Sequence, residues 1–140
     1  MLIRLIATGQ PVSAKNGKRA FLNKRTQQMH VTRSQAIISW YAEQVPELTQ
    51  QFQRLGLATI ARFVHVDTHQ FLRDDVMAAA SPDGDNVMSA AWDALVKAKV
   101  LKDDKLVVTW GGSRQRDSAR PRVEIEVRVL DGGAVIDGWR

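Results

Sequence analysis

Residues 82–104 read PDGDNVMSAAWDALVKAKVLKDD, and this stretch decides how the chain is interpreted. Two carboxylates, Asp83 and Asp85, stand two residues apart just ahead of a helical pattern. A second acidic pair, Asp103 and Asp104, follows that helix and precedes a predicted strand. Carboxylate oxygens are hard ligands, and several of them brought together form a Mg²⁺ or Mn²⁺ site. The stretch therefore suggests a metal-dependent enzyme.

Each acidic pair also has a plain structural explanation. Pro-Asp-Gly is a common turn sequence, and Asp85 or Asn86 can cap the helix that follows. Residues 102–105, Lys-Asp-Asp-Lys, are typical of a solvated turn between a helix and a strand. Asp93 lies on the helix itself, where we expect an exposed ion pair with Lys97 one turn later. The metal hypothesis therefore depends on the two pairs acting together.

Distance is the difficulty for a shared metal site. A helix over residues 86–98 is about 20 Å long at 1.5 Å per residue, and Asp83 and Asp104 flank its opposite ends. The ligands of one cation must lie much closer together than that. Either the helix is shorter than its pattern indicates, or the chain returns along it, or a partner subunit contributes.

Composition is that of a globular protein. The 140 residues predict a single domain over residues 1–130, followed by a flexible tail over residues 131–140. Hydrophobic residues make up 44%, which is enough for a core, and the lack of cysteine excludes disulfides and thiol catalysis. No apolar run approaches the roughly 20 residues of a membrane span, and the first residues do not form a signal peptide. We expect a cytoplasmic protein.

Positive charge is concentrated towards the amino terminus. The first 42 residues hold seven basic residues and no acidic one, whereas the remainder holds thirteen basic and fifteen acidic residues, and the net charge is +5. Such asymmetry indicates a polyanion such as nucleic acid as partner, although a basic loop also serves solubility alone. The candidate phosphate-binding residues are Lys15, Lys18, Arg19, Lys24, Arg25 and Arg33. A second basic cluster contains Arg114, Arg116, Arg120 and Arg122.

Hydrophobic periodicity predicts an α+β domain in which helices pack on a small mixed sheet. Strands are predicted over residues 2–8, 57–67, 106–110 and 122–130, with weak strand character at residues 20–22 of an otherwise polar, basic loop. Helices are predicted over residues 34–54, 68–80 and 86–98. Pro46 should kink or split the first helix, and residues 111–120 should form a polar loop.

Three polar residues, His65, Asp67 and His69, alternate along the chain. Two histidines and a carboxylate on one face of a strand are able to bind a transition metal. The same alternation is what the exposed face of a half-buried strand looks like. We favour the second interpretation, with the strand fraying near Thr68.

The motif Asp83-x-Asp85-Asn86 resembles that of the RusA family of Holliday junction resolvases, small crossover junction endodeoxyribonucleases often carried by phages and prophages. The other matching elements are Gly9-Gln10-Pro11-x-Ser13-x-Lys15-Asn16, Asp93-Ala94-Leu95, Val100-x-x-Asp103-Asp104-x-x-Val107 and Glu124-Ile125-Glu126. The acidic elements agree with the family in order and spacing, and the resemblance covers nearly the whole chain.

The resemblance implies a homodimer that binds a four-way DNA junction and nicks two opposed strands symmetrically. It implies Mg²⁺ as the cofactor, with Mn²⁺ as a substitute, held by Asp83, Asp85 and Asp104 as the metal-binding and catalytic residues. On this analogy the three aspartates cluster, which favours a chain that returns along the helix. The resemblance also implies a cytoplasmic protein that is bacterial or phage-encoded.

The chain departs from the family at two places. The family usually has a lysine four residues after the second aspartate of the motif, where this chain has Ser89, so that Lys97, Lys99 or Lys102 would have to replace it. The segment 67–82 is also longer than is typical of the family. Three alternatives stay open: a non-catalytic protein that binds branched DNA, a nuclease of broader specificity for branches, and a structural protein whose acidic residues only cap helices.

Overall fold

The computed structural model of the protein describes residues 1–13, 18–23, 28–33, 35–79 and 81–130, and over residues 18–33 it describes the backbone alone. The predicted tail over residues 131–140 lies outside these ranges. Their elements are β1 (Leu2–Thr8), β2 (Lys18–Asn23), β3 (Gln28–Arg33), α1 (Gln35–Arg54), β4 (Val64–Leu72), α2 (Gly84–Lys97), a 3₁₀ helix (Asp104–Leu106), β5 (Val107–Arg116) and β6 (Arg122–Val129).

A four-stranded sheet in the order β1-β6-β4-β5 forms the centre of the molecule. β6 pairs antiparallel with β1 and with β4, whereas β4 and β5 run parallel. A parallel pair needs a crossover connection, and α2 provides it, so that β4, α2 and β5 form a βαβ unit. The predicted α+β architecture with a mixed sheet and packed helices is confirmed.

The core lies between the two helices and one face of this sheet. Alternate residues of β6 are fully buried there, namely Val123, Ile125 and Val127, as their alternation predicts. α2 buries the apolar side that its helical period predicts, with Val87, Ala90, Ala91, Ala94 and Leu95. Residues on the opposite face of the sheet, which we call the outer face, are half-buried or exposed.

Two glutamines of α1 form hydrogen bonds with unpaired backbone groups on the free edge of β1. Gln44, which is buried, accepts from the backbone N–H of Thr8 at 3.0 Å and donates to its carbonyl oxygen at 2.7 Å. Gln51, two turns later, makes the same pair of hydrogen bonds with Ile6, both at 2.8 Å. An uncovered edge strand offers unpaired backbone groups to other chains, so these amides close one edge of the sheet.

α1 continues through Pro46 as one helix, so of the two predicted outcomes, a kink or a split, the split does not occur. Pro46 and Ala42 are both exposed, so the ring faces solvent and the carbonyl oxygen that loses its helical partner is free to bind water. The helix ends at Arg54, and Gly56 follows with a φ of 67°, a left-handed conformation that glycine commonly adopts after a helix. Within the described chain, neither α1 nor α2 is long and apolar enough to span a bilayer.

Several predicted boundaries are wrong. The strand predicted over residues 57–67 starts only at Val64 and extends to Leu72, so the helix predicted over residues 68–80 does not form. Residues 57–63 contain an isolated bridge between Ile60 and Leu101 instead. β4 is a central strand paired on both sides, and this pairing outweighs the local preference of its polar residues.

Two predicted loops also contain strands. β5 extends to Arg116 because its parallel pairing with β4 continues to Leu72, so the predicted loop over residues 111–120 is strand for more than half of its length. The basic loop contains the antiparallel pair of β2 and β3, which forms a separate two-stranded sheet.

Gly112→Ala should destabilise the protein strongly. Gly112 has a φ of 155°, and a Cβ there would lie 2.0 Å from the carbonyl oxygen of Thr68, so β5 would have to move away from β4. Gly56→Ala is the matched control, because Gly56 has a φ of 67° but no atom within 4 Å of the added Cβ, and it should cost about 1 kcal/mol. The urea unfolding midpoint measures both effects, and equal midpoints would contradict the close approach of the two strands.

Candidate functional site

The two carboxylates of the Asp-x-Asp motif stand at the start of α2. The helix begins at Gly84, two residues before the predicted start, so Asp83 is the N-cap residue and Asp85 lies in the first turn. The Asp83 side chain makes no capping hydrogen bond to the backbone, and its Oδ2 instead accepts from Nδ2 of Asn86 at 3.3 Å. Asp83 and Asp85 are both exposed, so their carboxylates are accessible to a ligand from solvent.

Two strands hold the turn that carries these carboxylates. Arg114 on β5 donates through Nη2 to the carbonyl oxygen of Pro82 and through Nε to Oε1 of Gln70 at 3.0 Å. Gln70 on β4 is 4% exposed and donates through Nε2 to the carbonyl oxygen of Gly84 at 2.9 Å. Gln70 and Arg114 are register partners in the parallel pair. The βαβ unit therefore fixes the start of α2 through its own strands.

Sequence reasoning missed Gln70 and placed Arg114 only in a basic cluster. Gln70 fell within the segment predicted to be a helix, although it continues the buried alternation of Val64, Val66 and Thr68. Gly84 is part of the same arrangement, because a Cβ there would lie 3.0 Å from Cδ of Arg114. The alternation beyond Asp67 was the signal that identifies Gln70 as a buried polar residue.

Asp103 and Asp104 lie beyond the other end of α2 and interact with each other. A hydrogen bond from the backbone N–H of Lys105, at 2.9 Å, is the main cause that lowers the pKa of Asp103, and a hydrogen bond with Asp104 adds to it. The hydrogen bond with Asp103 raises the pKa of Asp104, and partial burial and the charges of Asp103 and Asp93 act in the same direction. Two carboxylates this close favour a proton or a cation between them.

The two acidic pairs lie far apart within one protomer. Asp104 lies just before Val107, which pairs with Val64 at the start of β4. The turn at the start of α2 instead contacts Arg114, which is seven residues further along β5, or about 23 Å at 3.3 Å per residue.

The helix gives a similar separation. The negative charge of Asp93 contributes to the raised pKa of Asp104, so Asp104 lies near Asp93. Asp93 is ten residues after Asp83, which is about 15 Å further along the helix axis. Accordingly, among the described residues Asp83, Asp85 and Asp104 do not form a group whose ligand atoms lie within 4.8 Å of one another. The expected return of the chain does not occur within a protomer, because a crossover helix leads from one end of its strands to the other.

Two further predictions concern α2 itself. Lys97 and Asp93 form the predicted i,i+4 pair, with Nζ 3.9 Å from Oδ2, and both side chains are exposed. Ser89 Oγ donates to the backbone carbonyl oxygen of Asp85 at 3.0 Å. Lys97 is one of the three candidate replacements for the lysine of the family. Because it pairs with Asp93, it lies at the Asp93 end of the helix rather than beside Asp85.

The six predicted phosphate-binding residues lie between residues 15 and 33 of the sequence. Three of them, Lys15, Lys24 and Arg25, lie outside the described residues. Lys18 and Arg19 belong to β2 and Arg33 to β3, and the backbone register pairs Lys18 with Arg33. The role of these six residues stays a prediction.

A second set of metal-ligating side chains lies on the outer face of the sheet. Asp67, His69 and Glu126 are half-buried, and one ligand atom from each lies within 4.8 Å of the others. The structure places His65, Asp67 and His69 half-buried on one face of β4, as both interpretations of their alternation predict, and the strand does not fray near Thr68. Sequence reasoning missed Glu126 as a neighbour of Asp67, because only the pairing of β4 with β6 brings the two together.

Comparison with protein families connects this geometry to an activity. The family model described as Endodeoxyribonuclease RusA matches residues 3–128, which include the βαβ unit and both acidic pairs within it. A search of curated proteins returned no match. Because the family match covers most of its length, the chain belongs to the RusA family of endodeoxyribonucleases, enzymes that act on Holliday junctions.

Proposed function

We propose that the protein is a metal-dependent endodeoxyribonuclease that resolves Holliday junctions by symmetric, paired nicking. Asp83, Asp85 and Asp104 hold Mg²⁺, and Mn²⁺ can replace it. The observation that carries the proposal is that two exposed carboxylates, neither of which makes a capping hydrogen bond to α2, stand on a turn held by the buried Gln70 and the half-buried Arg114. We also propose that the protein is cytoplasmic and of bacterial or phage origin.

The donor atoms suit a hard divalent cation. The three residues offer only carboxylate oxygens, which Mg²⁺ prefers. The hydrogen bond with Asp103 raises the pKa of Asp104. When bound, Mg²⁺ neutralises charge on the scissile phosphate and promotes attack by water. The chain itself holds the carboxylates in position, through Gln70 and Arg114 at the start of α2 and through the 3₁₀ helix at Asp104.

A homodimer would unite the acidic pairs. We propose that each metal site takes Asp83 and Asp85 from one protomer and Asp104 from the other, since carboxylates about 20 Å apart cannot share a cation. A two-fold axis that sets two α2 helices antiparallel brings the start of one beside the end of the other. The two resulting sites are equivalent and suit two opposed strands of a four-way junction.

We assign DNA binding to the basic segment over residues 15–33. Lysine and arginine side chains that contact phosphates give most of the sequence-independent affinity for DNA, which weakens as salt rises. In this proposal the six residues that do so are Lys15, Lys18, Arg19, Lys24, Arg25 and Arg33.

Ser89 favours a second candidate function, which is binding of branched DNA without cleavage. Its hydroxyl group donates to the backbone of Asp85 and brings no positive charge to the motif. Arg114 does place a guanidinium against this turn, since Nη2 contacts the carbonyl oxygen of Pro82. We therefore keep catalysis as the first proposal.

Asp85→Asn should abolish nicking of a labelled four-way junction in Mg²⁺ and leave junction binding intact or stronger, because a negative charge near the DNA is removed. Denaturing gels measure nicking and gel shifts measure binding, with matched linear duplex and EDTA in parallel. Glu47→Gln, which removes an exposed carboxylate from α1, should behave like the wild type.

The same assay separates the alternatives. Near-wild-type cleavage by Asp85→Asn would contradict the metal assignment. Junction binding without cleavage by the wild type would support the second candidate function. Cleavage of flaps and forks as fast as junctions would indicate a branch nuclease of broader specificity.

A mixed dimer of Asp85→Asn and Asp104→Asn protomers should nick one strand of the junction but not two. If the sites are shared, one site of the mixed dimer carries both substitutions and the other carries none. Coexpression with two different tags allows its isolation, and each homodimeric variant should be inactive. An inactive mixed dimer would show that each site lies within one protomer.

Arg114→Met should lower cleavage by about 10- to 100-fold and raise the Mg²⁺ concentration for half-maximal rate, as expected for a residue that orients metal ligands. Arg116→Met is the matched control, since Arg116 follows two residues later on β5 and is exposed. That control should leave the Mg²⁺ requirement unchanged, whatever its effect on DNA binding. Equal Mg²⁺ requirements for both variants would remove Arg114 from this positioning role.

A further inference from the structure

The strand register arranges the outer face of the sheet in rows that cross all four strands. One row contains Arg4, Glu126, Asp67 and Gly111, on β1, β6, β4 and β5 in turn. The next row contains Ile6, Glu124, His69 and Ser113. Asp67 and Glu126 are thus directly opposed across an antiparallel pair, with His69 on the same face two residues along β4.

Two like charges directly opposed on neighbouring strands destabilise a sheet unless a positive charge lies between them. Arg4 approaches Glu126 from the far side, but Nε is 3.7 Å from Oε1 and its side chain is 74% exposed. An exposed and distant partner of this kind contributes little. The position between Asp67, Glu126 and His69 therefore favours a cation.

Hydrogen bonds orient two of the three side chains towards this position. His69 Nδ1 bonds to Oγ of Ser113 at 2.8 Å, which leaves Nε2 as the ring nitrogen able to bind a metal. Oδ1 of Asp67 bonds to Nε2 of His65 at 2.9 Å, and Nδ1 of His65 bonds to Oγ1 of Thr109 at 2.7 Å. Metal-binding residues are usually held by such outer partners.

Gly111 leaves room for this arrangement. A Cβ at Gly111 would lie 2.8 Å from Oδ1 of Asp67, so a larger residue at this register position would displace the carboxylate. The glycine therefore allows Asp67 to keep its hydrogen bond with His65 and its approach to Glu126.

We propose that Asp67, His69 and Glu126 form a second metal site, which binds a divalent transition ion such as Zn²⁺ on the outer face of the sheet. An imidazole with two carboxylates suits Zn²⁺ and related ions, whereas Mg²⁺ prefers oxygen ligands alone. Tetrahedral Zn²⁺ with bonds of about 2.1 Å sets its ligand atoms about 3.4 Å apart. The three ligand atoms lie within 4.8 Å of one another, so small side-chain rotations bring them to this separation. The ion joins the central strands β4 and β6.

This site is separate from the proposed catalytic one. Gln70, which contacts the start of α2, alternates with His69 along β4, so the two side chains lie on opposite faces of the sheet. The proposal does not depend on the assignment of Asp83, Asp85 and Asp104, because it concerns binding of a different class of ion by different residues.

Co²⁺ titration of the metal-free, full-length protein tests the proposal, since Co²⁺ replaces Zn²⁺ in such sites and its visible absorption reports protein ligands. We expect one equivalent per chain to give visible bands that Zn²⁺ abolishes and excess Mg²⁺ does not. His69→Ala and Glu126→Gln should each weaken Co²⁺ binding at least tenfold, and Zn²⁺ should raise the thermal midpoint of the wild type but not of these two variants.

Three controls make the outcome specific. His30→Ala removes a histidine from β3, Glu47→Gln removes a carboxylate from α1, and Asp85→Asn removes a proposed catalytic ligand; all three should bind Co²⁺ like the wild type. Circular dichroism verifies that each variant is folded. If His69→Ala does not fold, Glu126→Gln alone is sufficient to test the proposal. Wild-type Co²⁺ binding by a folded Glu126→Gln variant, or displacement of Co²⁺ by Mg²⁺, would overturn the proposal. Junction cleavage in Mg²⁺ is scored separately and should be retained by His69→Ala.

Discussion

The parallel pairing of β4 with β5 is the constraint on which the rest of the molecule depends. Parallel neighbours cannot be joined by a tight turn, so the chain must cross the sheet through α2. That crossover sets the Asp-x-Asp motif at one end of the two strands and Asp103 with Asp104 at the other. The same pairing places Gln70 beside Arg114 and so creates the network that holds the motif.

Buried and half-buried polar side chains restrain two parts of this fold. Gln44 and Gln51 pair with the free edge of β1, and Gln70 and Arg114 pair with the turn before α2. A buried amide must find partners or its desolvation is costly, so these residues both depend on the backbone they contact and restrain it. The carboxylates of Asp83 and Asp85 are left exposed beside such a restrained turn, which is the arrangement that a ligand site requires.

The two faces of the central sheet have different chemistry. The inner face is apolar apart from a few buried polar residues such as Thr68 and Gln70, and it packs on the helices. The outer face carries acidic, basic and histidine side chains on β1, β6 and β4, next to Gly111 and Ser113 of β5. Since side chains alternate between faces, residues next to each other in sequence, such as Gln70 and His69, belong to separate environments and serve separate proposed sites.

The sequence by itself determined β1, α1, β6, the buried side of α2, the i,i+4 pair of Asp93 with Lys97 and the family to which the chain belongs. These features depend on local periodicity, helix stops and motif spacing, which residues near in sequence express on their own. Only the tertiary structure decided that residues 68–72 and 111–116 are strand, that Gln70 supports the motif, and that Glu126 lies opposite Asp67. Each of these depends on which strands become neighbours, and that choice is made by burial and backbone pairing between segments distant in sequence.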